Sequence, residues 1–540
     1  MEPGTLKADV LDRHKKRAAD VWSKRAGWNG IVDEAYEYGM PMRRAEAGQT
    51  PGSVLSPRVF DMTAPMATMF FAGNLQRDLF PSGQPPFTIE TGPMAAAAIG
   101  AEGRKVLDRE LETTAKIMFP FFQTGDWDTA IHETCIDLAC GTGALIPIKG
   151  NLRQPIIFAS IPFKQIAIAC DAWGRPSLIS WKQEFEQDAV LKAFEDGTFD
   201  PEFRKTAREK PYDMVTVWQD FVRDPQMNGW HFVAYMDKGP EIRRERYRSQ
   251  PIAVPRYYRL NGQAYGFGPL LTALPSIKTV NKAQELALKS AAISMLGIWG
   301  YRSGGTFNPD TVRLAPGEFW PMQATGGILG PDVSRLDPAG ARQDVAKMLI
   351  GNLQDQIRQA MFDTRLPEYS GTPKSSQEIF ARMRQSADVH IGAFGRLVHE
   401  LMPVLVPRCA EILYELGILQ TPLPIDMLLV ATKVRSPMAA ALNAERLSSI
   451  AQYFEIVAAM AGLPRQVDLY AKRDTALDRI ADGMQIDKDL IPTAQERAET
   501  ERAIAAEQDA QLAMLAAQEA AKQAPGLAAR AAESDLAAAA

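Results

Sequence analysis

The sequence predicts an α+β fold, mainly α, and three observations carry that reading. Apolar residues recur at three- and four-residue steps over long stretches toward both ends of the chain, the period of amphipathic helices. Between residues 144 and 247 the pattern changes to short apolar or alternating runs bounded by Gly and Pro, which read as strands. The last 48 residues hold 20 Ala with interspersed Glu, Gln and Arg, a composition that favours helix strongly.

Taken in order, residues 6–38 form a mixed-charge helix with Val10, Ala18, Val21 and Trp22 at turn spacing. Its basic run, residues 13–17, is interleaved with Asp9, Asp12 and Asp20 and reads as a solvated face rather than a nucleic-acid patch. A loop rich in Gly, Pro and Ser follows at 45–57, then a helix at 61–79 closed by the Pro/Gly cluster 81–86. Residues 104–140 read as two more helices. Seven strands are expected at 144–148, 155–161, 166–170, 178–181, 213–221, 230–236 and 242–247.

Helix returns at 275–297, where Ile277, Val280 and Leu288 mark an amphipathic face. A Gly/Pro-rich excursion with some β content fills 298–337, and a helix resumes at 338–361. The break 362–374 contains Pro367, Gly371 and Pro373. Ser375-Ser-Gln-Glu378 has capping-box spacing and opens a long helix carrying Ile379, Met383, His390, Phe394, Leu397, Leu401 and Leu405. Pro403 and Pro407 are expected to kink its end. Ser436-Pro437 opens a further helix, and a second capping box, Thr493-Ala-Gln-Glu496, opens the Ala-rich tail. That tail is too weakly apolar to bury itself, so it is either a solvated helix or one that packs against copies of itself.

Charge and cysteine content exclude several classes. Lys and Arg total 60 against 65 Asp and Glu, a net charge of −5, which argues against a protein that works by non-specific DNA binding. Four cysteines, Cys135, Cys140, Cys170 and Cys409, are too few for a disulfide framework and fit no paired zinc spacing. No secretory h-region and no apolar run of membrane-spanning length occurs, so an intracellular soluble chain is expected.

The sharpest motif is Asp137-Leu-Ala-Cys-Gly-Thr-Gly143, similar to the glycine-rich motif of S-adenosylmethionine-dependent methyltransferases. Such a motif needs a strand before it and a helix after it. Here Ile131, Cys135, Leu138 and Ala139 fall on one helical face, and Ala144-Leu-Ile-Pro-Ile148 is strand-like. A helix ended by Gly, turning tightly into a strand, is the better reading. Gly371-Thr-Pro-Lys374-Ser375 only echoes the end of a P-loop. His132 and Cys135 are spaced for a metal pair but lack further ligands. No catalytic constellation, cofactor site or metal site is expected.

The order of elements is more specific than any motif. Tyr36-Glu-Tyr-Gly-Met-Pro41, Val59-Phe-Asp-Met-Thr63, Leu79-Phe-Pro81, Ala139-Cys-Gly-Thr-Gly-Ala-Leu145, Asn261-Gly-Gln-Ala-Tyr-Gly-Phe-Gly-Pro269, Ala273-Leu-Pro-Ser-Ile-Lys-Thr-Val-Asn281 and Gly371-Thr372 follow one another across the chain. This series resembles the portal, or head-to-tail connector, proteins of short-tailed, podovirus-type bacteriophages, over about residues 10 to 500.

The resemblance implies a phage portal fold: wing, two-helix stem, clip, crown and C-terminal helical barrel, assembled as a ring of about twelve subunits at one capsid vertex. Residues 1–274 would be the N-terminal wing with its β-rich block, 275–297 and 338–361 the stem helices, and 298–337 the clip. The channel loop would be 362–374, the long wing helix and its exit 375–425, the crown 426–492 and the barrel 493–540. Double-stranded DNA would pass through the bore, where Arg365 and Lys374 on the loop and Arg358 near the stem end are candidate phosphate contacts, the alternative being plain surface charge. Tyr301, Phe307, Phe319 and Trp320 are either clip-interface anchors, since aromatics enrich interface cores, or the private small core of that excursion. Implied partners are the packaging ATPase (large terminase), tail adaptor and tail tube proteins, and major capsid and scaffolding proteins, with no direct membrane contact. The implied location is the virion's portal vertex, after assembly in the bacterial host cytoplasm. The alternatives are another oligomeric adaptor or tail structural protein and, remotely, a methyltransferase built on Asp137 to Gly143.

Overall fold

The computed structural model describes residues 8–43, 59–81, 83, 85–224, 229–237, 239–296, 299–301, 333–335, 341–362, 395–397, 399–423, 429–435, 449–450, 452–456, 473–484 and 496–515. The chain forms two compact units. One comprises 1–86, 118–425 and 436–438; the other comprises 87–117, 426–435 and 439–540. Helix and strand are mixed, as the α+β reading requires.

In the first unit, α1 (Ala8–Gly39) and α2 (Thr63–Leu79) form where the apolar period is helical. Helix α2 buries Ala64, Ala67, Phe71, Ala72, Leu75 and Leu79, one face at three- and four-residue steps. It packs on α4 (Trp127–Cys140), which buries Ala130, Ile131, Thr134, Cys135 and Leu138. Between the two lies an aromatic cluster. Trp127 meets Phe80 edge-on at 6.0 Å and lies 5.3 Å from Phe122 and 5.1 Å from Phe158, within the range where ring pairs add to area burial.

All seven expected strands form, in two sheets. Strands β2 (Leu145–Lys149) and β3 (Ile156–Ser160) make an antiparallel hairpin, Leu145 opposite Ser160. Strands β4 (Ile166–Cys170), β5 (Pro176–Glu186), β6 (Met214–Asp224), β7 (Gly229–Met236) and β8 (Glu241–Tyr247) make a five-stranded antiparallel meander in chain order. Helix α1 covers one of its faces: Val21 joins Ala167, Leu178 and Val222 in a common core. Beside it Trp22 Nε1 donates to Ser180 Oγ at 3.0 Å and the Trp22 ring stands edge-on to Trp218 at 5.6 Å.

Two helices, α5 (Gln187–Ala193) and α6 (Pro201–Glu209), connect β5 to β6, where the sequence reading placed none. The α6 signal was present in the chain: Asp200 is the N-cap, accepting from Glu202 N at 3.1 Å, and Pro201 occupies the first turn. Seven to nine residues is simply too short a window for a helical period to stand out.

Helix α7 (Pro269–Leu296) starts one and a half turns before its expected position and runs through Pro275. Burial of Leu270, Ala273, Leu274, Ile277 and Val280 on both sides of that proline offsets the hydrogen bond it cannot make. Strands β9 (Trp299–Tyr301) and β10 (Val333–Arg335) pair antiparallel, so the excursion does contain β structure. Helix α8 (Ala341–Ala360) then packs on α7 and on α2, burying Ile350 and Ile357, with Met361 buried just beyond its end.

Of the long helix, residues 395–397 and 399–400 are helical, and residues 375–394 lie outside the described residues. Leu401 interrupts it (φ −105°, ψ −72°), and α9 (Met402–Glu415) begins anew with Pro403 in its first turn, where a missing N–H costs nothing. The irregularity falls where the kink was expected, at the turn that enters Pro403, with Leu401 N still bonded to Leu397 O at 3.1 Å and Leu405 N to Leu401 O at 3.0 Å. Helix α9 ends ten residues before the expected exit, at a turn in which Gly417 takes φ +74° and Ile418 N bonds Leu413 O at 2.9 Å.

In the second unit, β1 (Phe87–Thr91) pairs antiparallel with β11 (Val430–Val434), Phe87 opposite Val434. The following helix α3 (Pro93–Thr124), of which residues 93–117 belong to this unit, starts eleven residues earlier than expected and is interrupted at Gly100 (φ 79°). Asp108 on α3 accepts from Thr91 N at 2.6 Å, and Arg104 lies 3.4 Å from the same carboxylate. Helix α10 (Arg473–Met484) and a helical run at 496–515 belong to this unit, and Glu496 pairs with Arg109 at 3.1 Å.

Candidate functional site

The region of interest is the root of the α7–α8 pair together with the glycine-lined junction beneath it. At the root, Asn281 is buried on α7 and its Oδ1 accepts from the backbone N–H groups of Phe60 (2.7 Å) and Asp61 (3.2 Å). Asp61 in turn accepts from Thr63 Oγ1 (3.1 Å) at the start of α2 and from Gln354 Nε2 (2.7 Å) on α8. Two side chains, Asn281 and Asp61, therefore clamp three helices at one level.

Past that level α7 changes character. Up to Asn281 it contributes Leu270, Leu271, Leu274, Ile277 and Val280 to the core. From 282 to 292 no residue is buried, and Leu286 and Leu288 are about half exposed. Lys282 and Lys289 both pair with Glu285 there, at 3.0 and 2.6 Å. Both lysines share the one carboxylate, and their hydrogen bonds, that of Lys289 first, depress the Glu285 pKa.

The string Asp137 to Gly143 is the end of α4 and the turn into β2, as the helix-to-strand reading held. Gly141 takes φ 121°, a conformation side chains disfavour. Its carbonyl accepts from Tyr257 N at 2.8 Å, Gly143 N donates to Pro255 O at 3.0 Å, and Gly268 N donates to Cys140 O at 3.1 Å. Thr142 Oγ1 accepts from Gly266 N at 2.8 Å. A Cβ on Gly141 or Gly268 would strike the backbone of the other segment. The glycines thus let two chain segments touch, and the space a nucleoside cofactor needs is filled by residues 255–268.

Asp137 is equally committed. It is fully buried and accepts from Arg43 Nε and Nη2 (2.8 Å each) and from Tyr36 Oη (2.7 Å). Burial pushes its pKa up, against the pull of the Arg43 guanidinium and the hydrogen bonds of Arg43 and Tyr36; the Tyr36 hydroxyl is itself driven well up by burial. Arg43 also reaches Ser160 Oγ at 2.8 Å and Glu133 at 3.2 Å. A second buried ion pair closes the far side of the junction: Arg256 Nη2 and Nε hold the Glu400 carboxylate at 2.7 and 3.1 Å. His132 Nδ1 lies 2.9 Å from Gln76 Oε1, a hydrogen-bonded partner rather than a second ligand for Cys135.

Of the expected site residues, Arg358 lies in the last turn of α8, partly exposed and 2.8 Å from Asp355. Tyr301 ends β9, its backbone opposite Val333. Arg365, Lys374, Phe307, Phe319 and Trp320 lie outside the described residues. Sequence reasoning missed Asp61, Asn281 and Gln354. The available signal was a polar Asn on the same face as Ile277 and Val280, a position that demands a partner.

A family model described as bacteriophage head to tail connecting protein matches residues 11–491. No curated protein matches the chain.

Proposed function

The chain belongs to the bacteriophage head-to-tail connecting protein family, and from that premise we propose that it is a portal subunit that closes into a ring of about twelve copies at one capsid vertex. The family is structural, its members oligomerise and bind capsid and tail components, and the virion portal vertex is where they act. Among the described residues no helix is long and apolar enough to cross a membrane.

The observation that carries the proposal is the α7–α8 pair. It is rooted in the core at Asn281, leaves it as two packed helices, and encloses in sequence the β9–β10 pairing. That arrangement suits a stem with a clip between its helices. Residues 298–337 would dock the packaging ATPase (large terminase) and later the adaptor and tail tube proteins, and major capsid and scaffolding proteins would meet the ring's outer surface. Arg358, Arg365 and Lys374 would meet the DNA backbone in the bore. One cation per subunit repeats around a ring, so weak single contacts sum to a circle of charge. A net charge of −5 limits the counterion-release gain that would make passing DNA stick. The residues from 493 on would pack against the same segment of other subunits, which explains a helical run at 496–515 whose Ile504, Leu512, Met514 and Leu515 are exposed.

Particle mass and an end-on view by negative-stain microscopy test the proposal. A ring of about twelve 59.5 kDa chains has a mass of about 0.7 MDa and a central hole. A stable monomer or dimer overturns it.

A further inference from the structure

The turn between β4 and β5 reads Asp171-Ala-Trp-Gly-Arg175, and a set of bonds fixes its shape. Asp171 Oδ1 accepts from Trp173 N (2.9 Å) and Arg175 N (2.8 Å). Asp171 N donates to Arg175 O at 2.8 Å, and Gly174 N donates to Asp171 O at 2.9 Å. Gly174 takes φ 77°, a conformation that favours glycine, and its carbonyl accepts from Arg259 Nη1. A Cβ there would strike the Arg259 guanidinium. The side chain that this turn holds up is Trp173, 83% exposed. An Asp-led turn of this kind is built by backbone and carboxylate, so its geometry does not call for an indole. Leu260, 61% exposed, follows Arg259 and sets a second large apolar side chain beside the residue that holds the tip.

The charge around this tip is opposite to that of the chain, which is −5 overall. Arg175 lies in the turn, Arg259 bonds Gly174 O, and Arg223 pairs with Asp171 at 3.7 Å. Arg396 Nη1 donates to Arg259 O at 3.4 Å. Among the described residues Arg175, Arg259 and Arg396 enter no ion pair. We propose that the β4–β5 tip is a docking site for a partner protein that offers an apolar pocket rimmed by carboxylates. Trp173 is the anchor, Leu260 widens the apolar contact, and the arginines meet the acidic rim. The inference rests on the reading above, in which the chain binds other proteins of the virion, and assigns one such contact to named residues. Charge complementarity selects an acidic occupant, and side-chain type selects a protein. Trp and Arg are among the residues most enriched at the energetic centres of protein interfaces. An indole already held by its turn loses little freedom on binding, while the arginines speed and orient the encounter. A nucleic acid would use the indole and the arginines but leave Leu260 in water, and the chain's net negative charge repels it at longer range.

The test uses the full chain in the assembled particle. A photo-crosslinking residue at Trp173 is expected to join this chain to a different virion protein, through a peptide rich in Asp and Glu that mass spectrometry identifies. Against that protein, purified, Trp173→Ala and Arg175→Glu are each expected to weaken binding at least tenfold, and added salt to weaken the parent's binding. The thermal midpoint of both variants should stay unchanged, since both side chains are exposed. Crosslinks confined to this chain overturn the proposal, by showing that a further copy or another segment of the same chain covers the tip. Crosslinks to nucleic acid, or undiminished binding by both variants, overturn it as well. A tip that gives no crosslink in particles containing the chain removes the docking site and leaves the connector reading standing. If the chain is absent from the virion, that reading falls, and the docking site with it.

Discussion

Arg43 grips Asp137 with two nitrogens, Nε and Nη2, each 2.8 Å from a separate carboxylate oxygen. The pair joins the short turn after α1 to the last turn of α4, and the carboxylate is fully buried. Such a pair adds little net stability over apolar replacements, but removing one partner leaves an uncompensated charge in the interior. Arg43→Ala is therefore expected to cost about 3–5 kcal/mol. Asp137→Asn, which still accepts from Tyr36, should cost less. Urea unfolding of the two variants checks both the size and the order.

The glycine junction makes a sharper prediction. A Cβ at Gly268 would meet the Ala139 carbonyl and the Gly141 N–H, and backbone cannot move aside as a flexible side chain can. Gly268→Ala should lose about 3 kcal/mol or fail to accumulate as folded protein, in the range of severe overpacking. Gly27 and Gly30, in the interior of α1 with open space at the Cβ, are the controls. Alanine there should be neutral or stabilising by up to about 1 kcal/mol.

Asp220 sets a pH dependence. Burial pushes its carboxyl up to about 6, against the hydrogen bonds of the Ser180 and Tyr235 hydroxyls. The unfolded chain titrates near 3.8, so between the two values the folded state holds a proton that the unfolded state has released. Its contribution to stability is full below pH 3.8, falls as pH rises toward 6, and stays lost above that. The swing is about 3 kcal/mol. Asp220→Asn keeps an acceptor for Tyr235 and cannot ionise. Its advantage over the parent in thermal midpoint should grow from pH 4 to pH 6 and then level off.

In the assembled particle, Arg365→Ala combined with Lys374→Ala should reduce DNA packaging or retention, with Arg358→Ala adding to the loss. Encapsidated DNA per head, measured by nuclease protection, reads this directly. Unchanged packaging in the triple variant would remove these residues from the DNA path.

Removing residues 300–335 should abolish binding of the packaging ATPase and the tail adaptor in pull-down, while the ring still forms. Undiminished binding by that deletion would show that the docking surface lies elsewhere in the chain.

Much of the fold was legible because its elements are long or strongly patterned. The helical period around Val21 and Trp22 and the seven runs from Leu145 to Tyr247 each express a local preference that tertiary packing reinforced. Local preference also decided the glycine string, because a helical face before Gly141 and a strand after it left no room for a cofactor-binding turn.

What the sequence alone determined is thus the succession of the long helices and of the seven strands from 145 to 247, the α+β class and the family resemblance, all of which depend on neighbours within a few residues or on their succession. Only the tertiary structure decided which distant residues meet. β1 is five residues long, and its partner β11 lies more than 330 residues further on, so no periodic pattern announces the pair. Asp61, Asn281 and Gln354 are unremarkable singly; they become the clamp of three helices once burial removes water as their alternative partner and each must find another. The same holds for the outer face of α2. Its methionines carry no sign of exposure along the chain, and only the packing of the opposite face shows that Met66 and Met69 are left outside.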